Sequence, residues 1–508
     1  MSGKRDVSRR AFVLGAAAGV AMSAAGAKIP PDEPKARAMS DLGDLSAVDA
    51  VAHMSEGSLT AERYAEALIA KCRAAHALNA FITFEPARVL EDARARDRER
   101  LAGGKPGPLF GLPIPVKDSV NTRDYPTTAG TPALRTFHPR KDAPLVAALR
   151  EAGALVLGKT NLHELSYGWT SNNLAFGAVH NPYDLSRIPG GSSGGTAAAI
   201  AARLAPLGVA EDTEGSIRVP AAFCGIAGFR PTTGRYSTRG CVPISPLFDQ
   251  VGPHARNVGD LALFDSVAAA DRRKLDTVSL EGLRLGVVRD YWFTDLDPEI
   301  LRLTELALAR LKDAGVRIID AKLPGLAALI ERTTDVVQNH DVRLALAGYL
   351  REYGAGIDFE TLVARASPDI QRVFRSDVLP GGVNFVTEAA YAAARDQHLP
   401  ALRRLYRDYF AGVKVAAMVF PATLIPAPRI GEESTVDVGG RALPFEMAVA
   451  RNIAPGSTAG IPGLVLPVGL TRGGLPAAIE FDAPAGGDRG LLALGVALER
   501  ALGPVAAP

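Results

Sequence analysis

Cysteine is scarce in this chain. Only Cys72, Cys224 and Cys241 occur in 508 residues, an odd number without close-set pairs, which excludes a disulfide framework as the support of the fold. Buried, inert thiols are the expected state, with Cys241 the one weighed as a reactive group. Histidine is sparse too, and the eight present show neither H-x-x-x-H nor H-E-x-x-H spacing, so no metal is expected. Nor is there a cationic excess. The formal net charge is +2, and Lys4, Arg5, Arg9 and Arg10 against Asp6 more than account for it, leaving no basic surplus for nucleic acid.

A long hydrophobic run is missing as well. The apolar stretch Ala11 to Ala27 is broken by glycines and falls short of the roughly 20 strongly apolar residues that a spanning helix needs. With Ser8-Arg9-Arg10-Ala11-Phe12-Val13 ahead of it and Ala25-Gly26-Ala27 at its end, residues 1–27 read as a twin-arginine signal peptide cleaved before Lys28, in preference to a membrane anchor. That reading implies Tat export to the periplasm or the medium, with no stable membrane insertion after cleavage.

What is present is a globular pattern. Hydrophobic residues make up 47% of the chain with no polar low-complexity tract and no internal repeat, so residues 28–508 are expected to form one domain. The 51 glycines and 36 prolines are spread throughout, as the many short turns of a layered α/β protein require. Thr60 can cap a helix within Ser58 to His76, where Tyr64, Leu68 and Cys72 recur on one face. Asp142 to Ala152 reads as a second helix, ended by Gly153 before a buried strand, Ala154 to Leu157. The alternation repeats with a helix over Ser193 to Leu204 and a strand over Pro206 to Ala210, and later with a core strand at Leu464 to Leu466 and a closing helix from Arg489 to Leu502. Such alternation predicts an α/β fold: a large parallel or mixed β-sheet core flanked by helices on both faces, with sites at loops beyond strand ends. Leu323 to Gln397 is helix-like without a chemical motif and is expected to shape a pocket.

Three short motifs compete for the chemistry. Gly153 to Thr160 fits the phosphate-loop pattern G-x-x-x-x-G-K-T, but its interior is itself an apolar run, whereas a phosphate loop must turn its amides inward between a strand and a helix. Gly190-Gly191-Ser192-Ser193-Gly194 matches G-x-S-x-G, the elbow of α/β-hydrolases, which calls for a later acid and histidine. His254, His340 and His398 are available, yet none has a recognisable catalytic setting. The third constellation is much longer: Gly190-Gly-Ser-Ser-Gly-Gly195, then Gly215-Ser216-Ile217-Arg218-Val219-Pro220-Ala221, then Cys224-Gly225-Ile226-Ala227-Gly228-Phe229-Arg230-Pro231-Thr232. Gly111-Leu-Pro-Ile-Pro-Val-Lys117-Asp118, Gly158 to Glu164 and Asn181-Pro182 precede it; Asp249-Gln250-Val251-Gly252-Pro253 and Gly460 to Gly469 follow.

This ensemble resembles the amidase signature family, and most closely its indoleacetamide and mandelamide hydrolase branch. The resemblance covers most of the chain after Leu59 and implies a mixed sheet flanked by helices. It further implies a Ser-Ser-Lys triad: Ser216 as nucleophile, Ser192 as a bridging serine in a cis peptide, and Lys117 as base. Backbone amides of Thr213, Glu214, Gly215 and Ser216 would form the oxyanion hole. Tyr167, Trp169 and Ser193 are the expected substrate-binding residues. Taken singly, Lys117 would read as a solvated lysine, Ser192 as part of a turn and Ser216 as a helix cap; the ensemble reverses those readings.

The chemistry agrees with the resemblance. A serine hydroxyl needs a group to take its proton, and a lysine can do so only where apolar neighbours such as Leu112, Ile114, Pro115 and Val116 disfavour its ammonium form. Returning that proton to the departing amine suits an amide, whose nitrogen leaves poorly as an anion. Asp212 and Arg218 read as structural members of the loop. Two residues depart from the family's usual pattern, Glu214 in place of glycine and Glu211 in place of threonine; a backbone oxyanion hole tolerates the first if its side chain points away. The expected reaction is hydrolysis of a small, aryl-bearing carboxylic amide without any cofactor, the partners being the amide itself and a second copy in a homodimer. An ester, a carbamate or an oligoamide could serve the same triad, and a binding protein that has lost turnover through Glu214 is the alternative from another class. A fluorophosphonate probe separates the serine readings: labelling is expected to vanish in Ser216→Ala and to survive replacement of His254, His340 or His398, whereas labelling retained in Ser216→Ala would favour the α/β-hydrolase arrangement.

Overall fold

A computed structural model describes residues 42–508, all within one compact unit; the twin-arginine segment, residues 1–27, lies outside the described residues. Eleven strands form one mixed sheet. Across it run, in order, Phe81–Thr83, Leu155–Thr160, Pro113–Lys117, Leu207–Asp212, Gln250–Ala255, Ala227–Arg230, Gly463–Leu470, Pro476–Asp482, Ala417–Pro421, Arg284–Val287 and Arg317–Asp320. Pro113–Lys117 is parallel to both of its neighbours, while Leu207–Asp212 pairs antiparallel with Gln250–Ala255. Every residue of Pro113–Lys117, Leu155–Thr160, Leu207–Asp212, Gln250–Ala255 and Pro476–Asp482 is buried. Because alternate side chains of a strand point to opposite faces, unbroken burial means that both faces are covered.

Local chemistry sets the element boundaries. Thr60 accepts the Arg63 N–H at 3.1 Å and starts the helix Ala61–Ala74, which buries Tyr64, Leu68 and Cys72. The next expected helix begins later than its apolar pattern suggests, at Pro144–Glu151, because Asp142 is taken up by the Arg123 N–H at 2.8 Å and Pro144 occupies the first turn. The strand after it runs to Thr160, beyond the apolar residues. Lys159 extends it by pairing with Asp118 at 2.9 Å, both side chains fully buried. The phosphate-loop pattern therefore lies largely in a core strand, with its lysine committed to a carboxylate. Leu207–Asp212 likewise continues into Glu211 and Asp212. Helices Gly194–Ala201 and Asp488–Leu502 form where helices are expected, the first shorter at both ends. The three thiols are free and buried, and burial pushes the Cys72 thiol up to about 12.

A buried ionic cluster crosses the middle of the sheet. Arg218 donates to Asp212 Oδ2 at 3.1 Å, and also bonds Glu480 and Ser457; Arg230 Nε lies 3.4 Å from Asp212 Oδ1. None of the charged side chains among these is solvent-exposed. Burial alone would raise the Asp212 carboxyl, but Arg218 and Arg230 hold it down to about 2. Deleting one partner of such a cluster strands the others without water or counter-charge. Arg218→Met is accordingly expected to destabilise the protein by about 3–5 kcal/mol, read as a fall in the guanidinium denaturation midpoint; a midpoint unchanged from wild type would remove the cluster from the framework of the fold.

Candidate active site

Parallel pairing between Val116 and Val209 aligns two strands in one direction, so Lys117 and the loop that follows Asp212 emerge at the same edge of the sheet. Lys117 has no exposed surface, and its Nζ is hydrogen-bonded to Ser192 Oγ at 2.7 Å. Burial pushes its ammonium below the ordinary value of 10.5, against the opposing pull of Glu211 and Asp212.

Ser192 is carried by a glycine loop with a cis Gly191–Ser192 peptide bond. Its carbonyl accepts from His163 N–H at 3.1 Å and from Ser171 Oγ at 3.2 Å. Gly191 has a steric reason: a Cβ there would stand 2.8 Å from the Trp169 carbonyl carbon and 2.9 Å from the amides of Thr170 and Ser171. The Ser193 N–H then reaches the Ser216 carbonyl at 3.3 Å, tying the glycine loop to the loop of Ser216. The Ser193 side chain turns inward instead of into the cavity. It is fully buried, donating to the Glu211 carbonyl at 3.0 Å and accepting the Glu211 N–H at 3.3 Å, which corrects the expectation that it contacts substrate.

The Ser216 loop is clamped by Asp212, whose carboxylate accepts the N–H of Gly215 at 2.7 Å and of Ile217 at 3.1 Å. Gly215 holds φ at +117°, and a Cβ there would press on Ile453 at 2.8 Å. The expected set of four oxyanion donors is thereby corrected, because the Gly215 N–H is already spent on Asp212. Those of Thr213, Glu214 and Ser216 make no hydrogen bond to protein among the described residues.

Ser216 opens onto a cavity of about 810 Å³ shared with Tyr167 and Trp169. Trp169 Nε1 donates to the Glu214 carbonyl at 3.3 Å, Tyr167 Oη donates to Asn339 at 2.5 Å, and the Tyr167 ring meets Phe374 edge-on at 5.1 Å. Sequence reading missed much of the remaining lining. His163 lies within the motif Gly158 to Glu164 and could have been marked there; burial pushes its imidazole down to about 4, and it bonds Thr170 Oγ1 at 3.0 Å. Asp335, Gln338 and Asn339 come from the helix Thr334–Glu352, and Glu446 from Phe445–Ala450. Their spacing carries no motif, although the expectation that the helical region after Leu323 shapes a pocket is met.

Two histidines of the competing elbow arrangement, His254 and His340, are otherwise engaged. His254 bonds the Ile217 carbonyl at 2.6 Å and is buried, its imidazole pushed down to about 4. His340 stacks on Tyr391 at 3.7 Å and reaches Glu388 at 3.1 Å. His398 begins the helix Leu399–Val413. Among the described residues no group of three or more His, Cys, Asp or Glu side chains is arranged to hold a metal ion, and no helix is long and apolar enough to cross a membrane.

Comparison with known proteins converges on the same family. The amidase family model matches residues 63–492. The chain is 38% identical to indoleacetamide hydrolase of Agrobacterium vitis over 438 residues, covering 86% of this chain and 92% of that protein. It is 36% identical to mandelamide hydrolase of Pseudomonas putida over 477 residues, covering 91% and 92%. A solved amidase structure superposes with a TM-score of 0.81 at 30% identity, covering 90% of this chain and all of the other. With its eleven-stranded mixed sheet and a buried lysine–serine pair beside the Ser216 loop, the chain belongs to the amidase signature family and is an amide-hydrolysing enzyme.

Proposed function

We propose that Ser216 is the nucleophile, Ser192 the proton relay and Lys117 the base of a hydrolase acting on small, aryl-bearing carboxylic amides. The observation that carries the mechanism is the fully buried Lys117 amine 2.7 Å from Ser192 Oγ, while His254 and His340 are bonded to the Ile217 carbonyl and to Glu388. Ser216 Oγ bonds to the carbonyl carbon as its proton passes to Ser192 Oγ, while the Ser192 proton passes to Lys117 Nζ. The oxyanion accepts hydrogen bonds from the amides of Thr213, Glu214 and Ser216. When the C–N bond breaks, the proton returns from Lys117 through Ser192 to the leaving nitrogen. Water then attacks the acyl-enzyme by the same route, releasing the acid. Tyr167 and Trp169 in the cavity support the aryl assignment, as does similarity to hydrolases of indoleacetamide and mandelamide. The Arg9-Arg10 segment and the apolar run after it support twin-arginine export to the periplasm as the setting.

The base must be neutral to act. With its conjugate acid lowered by burial, kcat/KM for phenylacetamide is expected to rise with pH along a limb whose midpoint lies below 10.5, and to fall as acid protonates Lys117. Lys117→Met is expected to lose about 10²–10⁴-fold in kcat and to abolish that limb, with ammonia release as the readout. An unshifted limb in Lys117→Met would assign it to another group and overturn the mechanism.

A further inference from the structure

Glu214 is the charged residue nearest in sequence to Ser216 on the side of the cavity. Its side chain lines that cavity, is 9% exposed, and leaves Oε2 without any hydrogen-bond partner. An unpartnered acceptor buried against a ligand-sized space is costly unless something arrives to fill it. Gln338 is the neighbouring donor, and it divides itself between Glu214 and Asp335, whose Oδ1 it meets at 3.2 Å.

Around Glu214 the cavity is acidic from several elements at once. Asp335 projects from Thr334–Glu352, Asp369 from Pro368–Val373, Asp377 from Phe374–Val378 and Glu446 from Phe445–Ala450, while Glu433 is partly satisfied by Asn172 at 3.0 Å. The basic side chains on the lining are Arg372, which is exposed, and His163, kept neutral by burial. Asp212, behind the loop, is already neutralised by Arg218 and Arg230. The five carboxyls around Glu214, against one guanidinium, set a negative potential in the cavity that favours a cation there. Burial, then Asp335 and Glu446, raise the Glu214 carboxyl above its ordinary range, the response expected where like charges crowd a buried acid and no cation stands beside it.

We propose that this cavity selects amides that carry a protonated amine in addition to the aryl group, with the Glu214 carboxyl as the principal acceptor and Asp335 and Glu446 completing the cation site. Aromatic rings beside the carboxyls suit such a ligand, since Tyr167 and Trp169 can cover the apolar part while the acids meet the ammonium. The inference deepens the hydrolase reading of Ser216 and rests on it for the reaction, though not for the binding.

The test uses phenylacetamides bearing an aminomethyl group at the ortho, meta or para position, each against its uncharged methyl counterpart. For the wild-type enzyme at least one aminomethyl compound is expected to exceed its counterpart about tenfold in kcat/KM. The same preference is expected in equilibrium binding to Ser216→Ala by calorimetry. Glu214→Gln is expected to shrink the ratio to within about threefold, carried by KM more than by kcat. Asp335→Asn and Glu446→Gln, at exposed positions, are expected each to lower it partially, which keeps the test informative if Glu214→Gln does not fold. Equal kinetics and equal binding for every pair, or a preference untouched by all three variants, would overturn the cation site while leaving the hydrolase intact. Tight, Glu214-dependent binding without turnover of any compound would instead uphold the site and overturn the proposed reaction.

Discussion

Burial of one lysine amine sets the terms for the rest of this site. Lys117 Nζ sits at the end of a strand enclosed on both sides by parallel neighbours, with no exposed surface and Ser192 Oγ at 2.7 Å. In water such an amine would be an ammonium and useless as a base near neutral pH. Enclosure in the sheet lowers the cost of its neutral form, while the Glu211 carboxyl nearby limits how far the balance moves. A dry strand end is thus the physical cause of the lowered proton affinity of this amine.

A base fixed in a strand needs partners held with equal firmness, and the loops beside it are not left to find their own conformation. Asp212 accepts two amides of the Ser216 loop and pairs with Arg218 and Arg230, and Arg218 is tied through Glu480 to the strand Pro476–Asp482. On the other side, the cis Gly191–Ser192 peptide sits against the backbone of residues 169–171, where only glycine fits. Two loops remote in sequence are thus anchored by separate parts of the core and joined by the Ser193 N–H to the Ser216 carbonyl. This organisation is what electrostatic preorganisation demands: donors and hydroxyls in place before the reaction begins. It also explains why Gly215 cannot serve two purposes. Its N–H holds the loop, which leaves those of Thr213, Glu214 and Ser216 without a protein partner among the described residues.

The cavity in front of Ser216 is built from a different part of the chain, mostly helices between Thr334 and Ala450 laid over the sheet edge. Lys117, Ser192 and Ser216 therefore come from a strand end and the loops beside it, whereas much of the cavity lining comes from helix faces. Such a division lets one set of residues diverge without disturbing the other. Glu214 is the exception, since it lies on the Ser216 loop and also lines the cavity.

Much of this could be read before any coordinate was known, and the physical reason is locality. Thr60 caps a helix through its own nearest turn, glycines at 190, 191 and 215 answer steric demands made by the backbone, and alternation of apolar strands and amphipathic helices specified the layered sheet. Lys117, Ser192 and Ser216 were legible because each lies in a long, unusual motif. Tertiary structure decided what depends on partners distant in sequence. Strands run on through Lys159 and Asp212 because Asp118, Arg218 and Arg230 neutralise them in the interior, which no hydrophobic pattern reveals. Ser193 turned from the cavity to the Glu211 backbone for a similar reason, a nearby pair of peptide groups needing partners. The acidic character of the cavity was hidden altogether, because Asp335, Asp369, Glu446 and Glu214 share no spacing in the chain and are brought face to face only by the folding of separate helices over one strand edge.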